Sequence, residues 1–165
     1  YGLITTARTL LVEAEAAVLG WIDADPKALY EAGIRASFGF QSTYHTDATK
    51  IGGETAVEDY LASEKVVLSA DKETALKQIV TQRFLAGFMT DAIESWSDWR
   101  RYNIPYMPLT TWQIQQRNED YPYRLTYDPT EKETNEEAVN AAIQQWLGGT
   151  DGLWSRVWWD VADNN

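Results

Sequence analysis

The sequence predicts a mainly α-helical chain, with helical hairpins in its first part and an irregular, loop-rich C-terminal part. Three observations carry that prediction. Apolar residues recur at spacings of three and four over long stretches. Helix-start and helix-stop signals punctuate those stretches. Four of the five prolines fall between positions 105 and 129, where the periodicity fades.

In the first element, Ile4, Ala7, Leu11, Ala14 and Val18 step by threes and fours, and Leu3, Leu10, Ala17 and Trp21 broaden the stripe. Gly20 ends it. Asp25 followed by Pro26 is a start signal, a side-chain acceptor before a proline that suits the first helical position. The second helix is expected to run to about Phe40, with Leu29, Gly33, Ala36 and Phe40 on one face. Helices joined by so short a loop lie antiparallel, the hairpin unit of tetratricopeptide-type arrays. Residues 41 to 53, "QSTYHTDATKIGG", read as a loop that holds the single histidine, His45. A short helix through Val57, Tyr60 and Leu61 follows, so residues 1–68 read as helical hairpin units.

Residues 69–103 read as one long central helix opening at Ser69 or Asp71 and ended by Asn103 and Pro105. The stretch "ESWSDWRRYNIP" near its end raises the question of whether Trp96 and Trp99 form a site or a core. Leu85, Met89, Ala92, Trp96 and Trp99 fall on one ridge, which predicts core. Leu76, Ile79, Val80 and Phe84 face another side. Glu94, Asp98 and Arg101 fall opposite the ridge and read as a solvated, salt-bridged face.

From 104 to 165 the prolines exclude long regular elements at first. Aromatics nonetheless stud the loop, and Trp112, Tyr121 and Tyr123 are the candidates for a ligand-facing or partner-facing role. Thr134 with Glu137 predicts a capping box for a helix carrying Val139, Ile143, Trp146 and Leu147, closed by Gly148 and Gly149. In "SRVWWD", Trp158 and Trp159, with nearby Trp154, read as a sealing segment.

Composition narrows the chemistry. Fourteen basic against 25 acidic residues give a net charge of −11, which disfavours nucleic acid as a partner. No cysteine and one histidine leave no expected transition-metal site and no cofactor. A calcium site using Asp47 or Asp128 has no motif behind it. A hydrolase would need converging carboxylates, and none of the acids sits in a motif that demands a partner, so no catalytic residue is assigned. No run approaches the roughly 18 apolar residues of a membrane span.

Several blocks taken together resemble a known family. "ALKQIVTQRFLAGFMTDAIESWSDWRRYNIP", "YRLTYDPTEKETN" and "AAIQQWLGGTDGLWSRVWWD", in this order, look like the C-terminal region of the SusD/RagB outer-membrane lipoproteins. The pair "LLVEAEAAVLGW" and "ALYEAGIRASF" is similar to the helical units preceding it. Tyr123 to Asp128 depart locally from the family's usual Arg-Arg-Leu-Pro-Tyr-Pro. The resemblance implies an α-α superhelix of tetratricopeptide-like hairpins in a lipid-anchored protein of the outer-membrane cell surface. Such a protein would capture an oligosaccharide, or in some branches an oligopeptide, for a SusC-like TonB-dependent transporter, without catalysis. It further implies that residues 1–165, whether a single domain or a C-terminal portion, belong with the remainder of a longer polypeptide and supply scaffold. No ligand residue carries over from the family. A peptide- or protein-binding helical-repeat scaffold is the alternative reading.

Overall fold

The computed structural model describes residues 4–44, 55–88, 90–108, 110–111 and 121–160. Seven helices and no strand are found among them: α1 (Thr6–Leu19), α2 (Pro26–Tyr44), α3 (Ala56–Leu61), α4 (Lys72–Ala86), α5 (Ala92–Tyr102), α6 (Pro129–Thr134) and α7 (Glu136–Trp146). The fold is mainly helical, as the periodicity predicts. It divides into two compact units, Tyr1–Pro105 and Tyr106–Asn165.

The first unit is built on the α1–α2 hairpin. Thr5 caps α1 by accepting from the Arg8 N–H, and Gly20 ends it at φ 77°, a left-handed conformation that disfavours a Cβ. Asp25 caps α2 through the N–H groups of Lys27 and Ala28. α2 continues to Tyr44, four residues past the expected end at Phe40; His45 and Asp47 lie outside the described residues. Ala7, Leu11 and Ala14 of α1 meet Tyr30 and Ile34 of α2, Val66, and Ile79 and Ala86 of α4 in one apolar cluster. Tyr30 is buried because its hydroxyl donates to the Val66 carbonyl at 2.9 Å. Ile4 and Trp21, the ends of the expected α1 stripe, are exposed.

Gly33 sets the spacing of the hairpin. A Cβ there would lie 2.7 Å from Leu11 Cγ, and Leu11 is fully buried with no room to withdraw. Gly33→Ala gains about 1 kcal/mol of helix propensity but incurs an overpacking cost of about 2–3 kcal/mol. The expected result is a net loss on the order of 1–2 kcal/mol, read as a lowered denaturation midpoint; a stabilised variant would show that the helices part freely.

The expected long helix of residues 69–103 is two helices. α4 starts where Asp71 caps the Thr74 N–H and ends at Gly87, whose N–H bonds back to Arg83. The N–H groups of Thr90 and Asp91 then turn onto the Gly87 carbonyl before α5 begins. A Cβ on Gly87 would come within 3.1 Å of Ser95 Oγ, so a side chain there would press on the start of α5. The break dissolves the predicted ridge. Leu85 is 50% exposed and Ala92 is exposed, while Trp99 is buried at 4% and Trp96 only half-buried beneath the Arg100 guanidinium. The Met89 side chain lies outside the described residues.

In the second unit, Asp128 accepts from the Thr130 N–H at 2.8 Å with Pro129 in the first turn, which starts α6. This is the same Asp-Pro signal as at α2. The predicted Thr134–Glu137 capping box does not form: the Thr134 hydroxyl donates to the Thr130 carbonyl inside α6, and Asn135 takes the N-cap position of α7 with its side chain donating back to Glu131 instead of capping. α7 buries Val139 and ends before Gly148 and Gly149, both at positive φ.

Candidate functional site

The loop aromatics are held by an ionic knot within the second unit. Asp151 is half-buried, its side chain only 7% exposed, and accepts from Arg124, from Lys132 Nζ at 2.7 Å and from the Tyr127 N–H at 3.1 Å. Burial alone would raise its carboxyl, but these donors outweigh it and hold the group below the usual aspartate range. The N–H groups of Tyr123 and Arg124 donate to the Leu153 carbonyl, pinning the loop to the tryptophan-rich segment. Asp151→Asn is expected to cost about 2 kcal/mol, since charge-assisted bonds are replaced by weaker ones. Faster hydrogen exchange at the Tyr127 amide should accompany the loss; unchanged exchange would argue against the knot.

Of the sequence candidates, Trp112 lies outside the described residues. Tyr121 is half-buried, with its hydroxyl on the Pro108 carbonyl at 3.3 Å. Tyr123 is half-buried under the Arg156 guanidinium, 3.9 Å from the ring centre, and Arg156 also pairs with Asp160 at 3.0 Å. The ring of Tyr123 thus already serves an internal stack. The sealing segment behaves otherwise than expected: Trp158 is 67% and Trp159 60% exposed, with their rings edge to face at 5.1 Å, and Trp154 is exposed as well. A local Val157–Asp160 turn leaves the two indoles outward.

In the first unit the acids of "ESWSDWRRYNIP" form a solvated face only in part, since Glu94 is exposed and Asp98 is not. Asp98 is buried, and Asp91, Glu94 and Asp98 of the α5 segment converge on Arg8 of α1 at 3.0, 3.1 and 3.4 Å. Arg83 of α4 donates to Asp98 at 2.9 Å and to Glu15. Arg101 and the Tyr102 hydroxyl complete the shell of Glu15. Burial pushes the Tyr102 hydroxyl up to about 12, and its bond to the Glu15 carboxylate adds to the effect. Burial also pushes Glu15 up, but Tyr102, Arg83 and Arg101 outweigh it and hold that carboxyl below the usual glutamate range. For Asp98 the balance reverses. Burial raises it beyond what Arg83 and Arg8 offset, with Glu15 adding repulsion. These carboxylates are committed to guanidinium partners, so they serve as ties between helices rather than as a free acid pair.

A groove of about 270 Å³ opens between α2, α3 and α4, lined by Ile34, Ser37, Phe38, Gln41, Tyr60, Gln82 and Leu85. The Phe38 and Tyr60 rings stand 5.6 Å apart at 48°. Gln82 Nε2 donates to the Tyr60 hydroxyl at 2.8 Å, so these two polar groups satisfy each other. The groove escaped the sequence reading because its walls come from three helices. Its one legible signal is the i, i+4 pair Ser37 and Gln41, polar positions one turn apart on α2.

A family model described as SusD-like, "Susd and RagB outer membrane lipoprotein", matches residues 1–160. The chain belongs to the SusD-like family. A SusD homologue from Bacteroides fragilis NCTC 9343 is 29% identical with a TM-score of 0.83, over 96% of this chain and 34% of that one. A homologue from Parabacteroides distasonis ATCC 8503 is 29% identical with a TM-score of 0.69, over 97% of this chain and 33% of that one. A chitin-binding protein is 26% identical with a TM-score of 0.70, over 94% and 32% of the two chains. No curated protein sequence matches. The chain thus spans about a third of the length of the structures it matches. The SusD-like family is one of outer membrane lipoproteins, and among the described residues no helix is long and apolar enough to cross a membrane.

Proposed function

We propose that the SusD-like protein to which these residues belong binds an oligosaccharide at the outer-membrane surface and passes it, chemically unchanged, to a SusC-like TonB-dependent transporter. The observation that carries this reading is the SusD-like match over residues 1–160, joined to a helical fold shared with SusD homologues and with a chitin-binding protein. Local chemistry supports it. The buried carboxylates are tied to guanidinium groups, and the net charge of −11 suits a neutral ligand over a polyanion. Tyr121 and Tyr123 keep a ligand-facing or partner-facing role in this reading. The remainder of the polypeptide and a lipid anchor complete the assembly.

Titration of the complete polypeptide with neutral glycans and with peptides tests the proposal. Saturable glycan binding with no change in glycan length is the expected result, together with co-purification of the transporter. Turnover of a glycan, or saturable binding of peptides alone, would overturn it.

A further inference from the structure

We infer that the groove between α2, α3 and α4 is a subsite for one neutral sugar ring. The inference rests on the oligosaccharide capture proposed above and assigns part of it to this portion of the chain, which then contacts ligand as well as supporting the fold. Among the described residues no charged side chain lines the groove, although about a quarter of the chain is charged. The occupant it suits is therefore uncharged. Phe38, Tyr60 and Leu85 offer apolar surface to the carbon–hydrogen face of a pyranose, with the buried Ile34 at the floor.

The polar part of the lining is matched to hydroxyls. Tyr60 and Gln82 are bonded to each other. Ser37 and Gln41 are half-buried one helical turn apart, and neither side chain makes a hydrogen bond among the described residues. A serine hydroxyl and a glutamine amide each donate and accept, as sugar hydroxyls do, so both can be satisfied by one ring lying against the aromatic wall. A half-buried amide without a partner among the described residues can hold water that a ligand hydroxyl replaces without losing a bond. The volume, about 270 Å³, lies just under the roughly 300–1,000 Å³ of sites that enclose drug-sized ligands. It fits a single ring of a longer glycan whose neighbours leave past Leu85, the half-exposed residue of the lining.

The test uses the complete polypeptide and neutral homo-oligosaccharides of glucose, mannose, xylose and N-acetylglucosamine. Calorimetric affinity and the methyl NMR signals of Ile34 and Leu85 are the readouts. For the oligosaccharide that binds, Gln41→Ala and Ser37→Ala should each weaken affinity by about tenfold. Leu85→Trp, which narrows the mouth from an exposed position, should abolish the ligand-induced shift of the Ile34 methyls. All three should keep the wild-type melting temperature. If the protein binds a glycan and all three variants bind it equally well, the groove assignment fails while the capture reading stands. If no neutral glycan binds the wild type, both fall. Methyl shifts produced by a peptide with apolar side chains, and by none of the sugars, would overturn the assignment in favour of a peptide site.

Discussion

Replacing Arg83 by methionine should destabilise the first unit by about 3–5 kcal/mol, because it leaves buried carboxylates without their main counter-charge. Arg83 is 2% exposed and joins Glu15 of α1 to Asp98 of α5 from its place on α4. None of the residues in the apolar cluster comes from α5, so this ionic tie carries much of the helix's docking. Arg83→Lys keeps the charge but loses the planar fork that reaches two carboxylates at once, and an intermediate loss is expected. Denaturant unfolding followed by tryptophan fluorescence measures both. A methionine variant within about 1 kcal/mol of wild type would mean that Arg83 is dispensable.

The same network predicts an acid response of mixed sign. Glu15 sits below its ordinary range in the folded state, so its stabilisation is present above the unfolded value and is lost as pH falls through the folded one. Asp98 sits above its ordinary range, so the folded state takes up its proton more readily than the unfolded chain, and its titration offsets part of the acid loss. Glu15→Gln should therefore flatten the acid limb of a stability profile, and Asp98→Asn should steepen it. At neutral pH Asp98→Asn should cost less than Arg83→Met, about 1–2 kcal/mol, since it removes two ion pairs but also relieves the burial of a charge and the repulsion from Glu15. A loss as large as that of Arg83→Met would contradict the assigned direction.

Local chemistry was legible in the sequence wherever one residue acts on its own neighbours. Asp25-Pro26 and Asp71 start helices, and Gly20 and Asn103 end them. Asp128-Pro129 carries the same start signal, but the prolines around it mask it. What could not be read is the partner of a charge. Glu94, Asp98 and Arg101 have the spacing of a wet helix face, yet the partners that bury Asp98 lie 90 residues away at Arg8 and across a turn at Arg83. Helical periodicity also runs unbroken through Gly87 in the sequence, because apolar spacing alone does not register the turn at Gly87 that redirects the chain. The groove shares this limit: Ser37, Tyr60 and Gln82 are unremarkable until three helices bring them together.

Trp99→Ala should cost about 3–5 kcal/mol, the range for emptying a buried large aromatic site. Trp99 is the large apolar side chain that α5 buries, and the cavity left would sit beside an ionic network unable to collapse into it without stretching its bonds. Trp96→Ala should cost far less, about 1–2 kcal/mol, from partial burial and the lost stack with Arg100 at 5.0 Å. Trp158→Ala, at an exposed position, should change stability by under about 0.5 kcal/mol. Denaturant midpoints for the three variants place them on one scale. Equal losses at Trp96 and Trp99 would restore the continuous ridge that the α4–α5 break removes, whereas a graded series shows that burial at each indole, and not helical spacing, sets its energetic weight.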